Sequence, residues 1–92
     1  MEAFSVVDAR DAVKIAKSYF FDLFNDQSPI NVQLEEVERT DDGRFWRITI
    51  GYDRSSEAKD LRSILGQIPR YYKVVTIDAA TGQAESVKMR TV

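Results

Sequence analysis

The sequence predicts an α+β domain: an N-terminal helix packed on a four-stranded antiparallel sheet of two hairpins, with a short connecting helix between the hairpins. Three observations carry this expectation. Apolar residues recur at helical spacing near the start of the chain. Two later stretches alternate around turns that contain glycine. The chain has 92 residues, which suits one domain, 1–92, and leaves no room for a second.

The helix is read from its cap and its stripe. Asp8 is a good N-cap, and Asp11 adds negative charge near the helix N-terminus. Ala12, Val13, Ala16, Tyr19, Phe20, Leu23 and Phe24 then fall on one side, with Arg10, Lys14, Lys17 and Asp22 on the other. The turn formers Asn25-Asp26-Gln27-Ser28 and then Pro29 end it.

Residues 32–39 and 44–52 read as the first hairpin. Val32 and Leu34 alternate with polar neighbours and Val37 is one residue out of phase, which a bulge near Glu35-Glu36 repairs. Thr40-Asp41-Asp42-Gly43 is the turn, with Gly43 free to take positive φ. Trp46, Ile48, Ile50 and Tyr52 then alternate with Phe45, Arg47, Thr49 and Gly51.

The stretch from Asp53 to Pro69 is long for a structureless loop. Ser55 or Ser56 could cap a short helix there, with Ala58, Leu61, Ile64, Leu65 and Ile68 on one face and Gly66 at its end. The second hairpin is Tyr71–Ile77, the turn Asp78-Ala79-Ala80-Thr81-Gly82, and a return over Ala84–Arg90. With Asp78 opposite Gln83, Tyr72 and Val74 share a face with Val87 and Met89. Packing then sets Trp46, Ile48, Ile50, Tyr72, Val74, Val87 and Met89 against the helix. The outer face carries Phe45, Arg47, Thr49, Tyr71, Lys73, Val75, Ile77, Ala84, Ser86, Lys88 and Arg90.

Composition removes several chemistries. Cysteine and histidine are both absent. That excludes disulfides, thiolate nucleophiles, Ser-His-Asp triads and every metal site that needs sulfur or imidazole. The formal net charge of −2 argues against a strongly basic nucleic-acid binder. No apolar run is long enough to span a membrane. The start of the chain has neither a basic region nor a long apolar region of the secretory kind, so a cytoplasmic location is expected.

The ending Tyr72-Lys73-Val74-Val75-Thr76-Ile77-Asp78-Ala79-Ala80-Thr81-Gly82 resembles the "Tyr-x-Val-x-x-x-Asp-x-x-Thr-Gly" pattern of PepSY-like domains, and Asp11–Lys17 resembles the helix that begins them. The resemblance implies a small cystatin-like α+β shape and no activity. It implies a binding or inhibitory module, often of peptidases and often outside the cytoplasm. The chain is also similar to gas-vesicle accessory proteins of the O type. The shared features are Asp42-Gly43, Trp46, Ile68-Pro69 and Tyr72-Lys73-Val74, while the arginine-rich ending of that type is missing.

The remaining constellations have plain structural explanations. Glu35, Glu36, Glu38, Asp41 and Asp42 suggest oxygen ligands for a cation, but their spacing is not that of an EF-hand. They suit a charged hairpin edge that resists strand pairing. Asp41 and Asp42 are adjacent turn residues and a poor carboxylate pair for catalysis. No cofactor is implied. The outer face is either covered by the connecting helix, with Leu61, Ile64, Leu65 and Ile68 docked on Phe45, Val75 and Ile77, or it is open, and the expectation is then a non-enzymatic module that binds another protein, or a second copy of itself, through it. Phe45, Arg47, Tyr71, Lys73, Val75 and Lys88 are the candidate contact residues, with the aromatics as anchors and the cations setting orientation. The alternative is a small-ligand site between helix and sheet lined by Tyr19, Trp46 and Tyr52.

Overall fold

The Asp8 carboxylate accepts a hydrogen bond from the Asp11 backbone N–H at 2.8 Å, so the chain becomes helical where its sequence said it would. In the computed structural model, which describes residues 7–54 and 70–90, helix α1 spans Ala9–Phe24. Strand β1 is Pro29–Arg39, β2 is Phe45–Arg54, β3 is Tyr71–Asp78 and β4 is Ala84–Met89. The sheet is antiparallel with order β1-β2-β3-β4, and α1 packs on one face. The α+β expectation holds. The short connecting helix expected between Asp53 and Pro69, with Ser55 and Ser56, falls outside the described residues, while Asp53 and Arg54 belong to β2. Among the described residues no helix is long and apolar enough to cross a membrane.

Helix α1 closes on the sheet through Ala12, Ala16 and Phe20, all fully buried. Two alanines bring the backbones close, and the Phe20 ring packs 5.1 Å from that of Tyr52, tilted by 59°. Ile48, Ile50, Tyr52, Val75 and Ile77 complete the core, each at 0% exposure. Burial of one such side chain contributes about 1.5–3 kcal/mol. Leu23, expected on the buried stripe, is 49% exposed in the last turn of the helix, while its neighbour Phe24 packs against the core.

The start of the helix is clamped to the far end of the sheet. Val7 donates its N–H to the Ala79 carbonyl at 2.9 Å, and its own carbonyl accepts from the Trp46 indole at 2.8 Å. Ala79 is buried in the β3–β4 turn. Gly82 in that turn has φ +78°, and a Cβ there would stand 3.2 Å from Val7. The turn therefore needs glycine for its backbone and for the space.

Register settles which residues face the helix. On the helix side, the cross-strand rows are Arg39–Trp46–Ile77–Ala84, Val37–Ile48–Val75–Val87 and Leu34–Ile50–Lys73–Met89. The bulge expected near Glu35-Glu36 is present: pairing steps from Leu34↔Ile50 to Glu36↔Thr49 and leaves Glu35 over. A second shift lies between Ile30 and Gln33, next to Asn31 at φ 52°. The last shift corrects the face expected for β3. Asp78 does bond to Gln83 across the turn, and Ile77 pairs with Ala84. Thr76 then pairs with Ser86, which leaves Glu85 as an extra residue on β4. One extra residue exchanges faces for everything beyond it. Val87 and Met89 stay on the helix side as expected, but Tyr71, Lys73, Val75 and Ile77 join them there, and Tyr72 and Val74 move to the outer face.

Candidate interaction surface

The outer face is built from two short rows and one interrupted one. Glu38–Arg47–Thr76–Ser86 and Glu36–Thr49–Val74–Lys88 run across all four strands. Beyond them, Gly51 pairs with Tyr72, and the Arg90 N–H donates to the Tyr72 carbonyl at 3.0 Å. A groove of about 450 Å³ lies over these rows, with Thr49, Val74 and Thr76 in its middle strands and Arg47, Lys88 and Arg90 among its charged lining. A second hollow of about 300 Å³ continues it beside Glu35, Glu36, Tyr72 and Arg90.

Between the two hollows an ion pair spans the sheet. Arg90 Nη1 donates to Glu36 Oε1 at 2.6 Å, linking the chain just after β4 to β1 across two intervening strands. Both side chains are about half exposed, so the pair contributes at most about 1 kcal/mol and weakens with salt. Arg47 and Lys88 join no ion pair among the described residues, although Glu38 is the register partner of Arg47.

The groove ends at a tighter cluster around Arg70. Its guanidinium reaches Asp53 Oδ1 at 3.1 Å and Glu35 Oε2 at 3.1 Å, and also donates to the Asn31 carbonyl at 2.9 Å. Burial opposes the charge on Arg70, but hydrogen bonds and charge attraction from Glu35 and Asp53 outweigh it and raise its pKa above the usual value. Asp53 is buried, and the Asn31 amide also donates to it at 2.8 Å. The cluster joins β1, β2 and the start of β3.

Of the six candidate contact residues, Phe45, Arg47 and Lys88 lie on the outer face. Phe45 is half-buried, with the Arg44 guanidinium 5.5 Å above its ring. Tyr71, Lys73 and Val75 lie on the helix side. Val75 is core, and Tyr71 packs its ring 5.8 Å from Tyr52. Lys73 holds its ammonium 4.7 Å above the Phe24 ring. Burial, with the nearby Arg54 charge, lowers the Lys73 pKa. The structure therefore does not bring the six together. Val74, Thr76, Glu36 and Glu38 take the vacated places around Arg47 and Lys88, an exchange that the bulge at Glu85 produces.

The helix–sheet trio is also separated. Trp46 commits its indole N–H to Val7, Tyr52 lies under Phe20, and Tyr19 faces a shallow hollow with Lys14, Ile15, Ser18 and Asp22. The acidic run splits into individual tasks. Glu35 serves Arg70, Glu36 serves Arg90, and Asp42 accepts from the Thr40 hydroxyl at 2.6 Å and the Arg44 N–H at 3.0 Å. Among the described residues no three acidic side chains converge to hold a metal ion.

Compared with known proteins, the chain matches no family model, no curated protein and no solved structure.

Proposed function

We propose that the chain is a non-catalytic interaction module whose outer sheet face receives an acidic segment of a protein partner. The observation that carries this reading is the pair Arg47 and Lys88. Both line one groove, which Glu36 and Glu38 line as well; neither cation has an ion-pair partner among the described residues, and Thr76 and Ser86 supply hydroxyls between them. Cations that flank a polar groove steer and orient an acidic partner more than they add affinity. Asp42, Arg70, Lys73 and Asp78, whose pKa departs from the ordinary value, lie away from the groove lining. A reaction centre gathers such groups, so their dispersal favours binding over catalysis. The same reading accords with the binding role that the PepSY-like resemblance implies.

The test is capture from host lysate with wild type and the Arg47→Glu/Lys88→Glu variant, after circular dichroism shows both folded. A partner held by wild type and lost by the variant supports the reading. Equal recovery with both overturns it. A second reading, a small-ligand site between helix and sheet, draws on the Tyr52 hydroxyl, which is buried with no hydrogen-bond partner among the described residues. A ligand-dependent change in Trp46 fluorescence would favour it.

A further inference from the structure

The two edges of the sheet are built differently. Edge β1 starts with a proline, carries two register shifts and places Glu36 and Glu38 on its outer side. Such features block the approach of another strand. Edge β4 has no proline, and its only irregularity is at Glu85, at one end. Antiparallel ladders alternate between residues that bond to the neighbouring strand and residues that point away. The Arg90 N–H bonds to Tyr72, so Lys88 and Ser86 also bond inward to β3. Val87 and Met89 therefore aim their N–H and C=O groups away from β3, on the outer edge of the described sheet. Met89 is also 49% exposed.

We propose that the partner segment adds to β4 as a fifth antiparallel or parallel strand, held by the backbone of Val87 and Met89 and selected by alternating apolar and acidic residues. This rests on the interaction-module reading above and extends it from the outer-face groove to the β4 edge that Lys88 borders. Strand addition draws affinity from main-chain bonds and specificity from side chains on alternate faces. On the helix side the newcomer meets Val87 and Met89, which suit an apolar residue. On the outer side it meets Lys88, which joins no ion pair among the described residues and suits an acid; Arg90 beside it is held by Glu36. A second copy of this chain is the poorer occupant. Pairing β4 with its own twofold mate brings Lys88 of both copies, which has no ion pair among the described residues, to one seam, and like charges across strands repel. The shifted and proline-led β1 edge of another copy offers a broken ladder.

The experiment uses a fluorescein-labelled decapeptide that alternates valine and glutamate, with a valine–lysine decapeptide as control. The expected result is salt-sensitive binding of the glutamate peptide alone, with slowed hydrogen exchange at the Val87 and Met89 amides. Met89→Pro removes one outward N–H and leaves the inward bonds of Lys88 and Arg90 intact, so it should weaken binding about fivefold or more. Met89→Ala should bind nearly as wild type does. Binding that depends on Arg47 and Lys88 but leaves both amides exchanging freely, with Met89→Pro unaffected, overturns strand addition and spares the outer-face reading. Failure of the glutamate peptide to bind, or equal binding of the lysine peptide, overturns the acidic strand. Protection of both amides in the protein alone, together with a dimeric mass, assigns the edge to a second copy and overturns it as well.

Discussion

The Glu35 side chain occupies the space in which Gly51 lacks a side chain: a Cβ on Gly51 would stand 2.9 Å from the Glu35 Cγ. Glu35 is the residue left over by the β1 bulge, and Gly51 on β2 is the register partner of Gln33, two residues before it. The glycine lets the glutamate lie flat over the sheet and reach Arg70. A bulge, a glycine and an arginine distant in sequence thus form one unit on the outer face.

The consequence is a substitution whose sign depends on its background. Alanine in place of a strand glycine is ordinarily stabilising by about 0.5–1 kcal/mol. Here Gly51→Ala must push Glu35 off Arg70, and Asp53 is then left as the main support of a partly buried guanidinium. A net loss of about 1 kcal/mol is expected, since a partly buried, charge-assisted contact is removed. In a Glu35→Ala background the obstruction is gone, and Gly51→Ala should become neutral or stabilising. Urea denaturation of the four members of this cycle measures the coupling. Additive effects would show that Glu35 does not lie over Gly51.

Much of this architecture was legible in the sequence, for local reasons. Asp8 caps the helix, Gly43 and Gly82 adopt φ +72° and +78° in the turns, and the phase slip between Leu34 and Val37 betrays the Glu35 bulge. Each of these signals is carried by a few neighbouring residues. The Glu85 bulge left no such mark. Val87 and Met89 keep their alternation whether or not a residue is inserted before them, and β3 reads as apolar on both faces. Half of the expected contact residues were therefore assigned to the wrong side of the sheet. Arg70 was missed because its partners Asn31, Glu35 and Asp53 come from two other strands.

The clamp on the helix start should fail through Gly82. Gly82→Ala forces a side chain into the left-handed region, at a cost of about 1–2 kcal/mol, and sets a methyl 3.2 Å from Val7 and 3.3 Å from Ile15. A thermal melt should show the loss. Exchange of the Val7 amide, which bonds to Ala79, should quicken more than that of the Ile48 amide in the central strand. Equal acceleration at both would mean that the turn and the helix start are not coupled separately from the core.

Acid should loosen the two turns before it reaches the core. Asp78 accepts from the Thr81 and Ala80 N–H groups, and Asp42 from the Thr40 hydroxyl and the Arg44 N–H; these bonds hold both carboxyls below the ordinary 3.8. A folded-state pKa below the unfolded one means that the unfolded chain takes up the proton first. The stabilisation is thus present above the unfolded value and is lost as pH falls through the folded one. Stability should decline below about pH 4, and Asp42→Asn/Asp78→Asn should flatten that decline. Chemical denaturation at pH 7 and pH 3 compares the two proteins. An unchanged slope in the variant would place the acid sensitivity elsewhere.

The two faces of β3 and their neighbours should separate stability from binding. Val75 is sealed between Ile48 and Val87, so Val75→Ala should cost about 2 kcal/mol through lost burial and the cavity left behind. Tyr71→Ala should also destabilise, because it removes a ring stacked on Tyr52. Arg47 and Lys88 are exposed on the opposite face, and their reversal should leave the melting temperature within a few degrees of wild type. Any binding lost with Val75→Ala should return on cooling or in a stabilising osmolyte, which restores the folded population. Binding lost with Arg47→Glu/Lys88→Glu should not return. Recovery in both would mean that the outer face touches no partner and that the charge reversal acts only through folding.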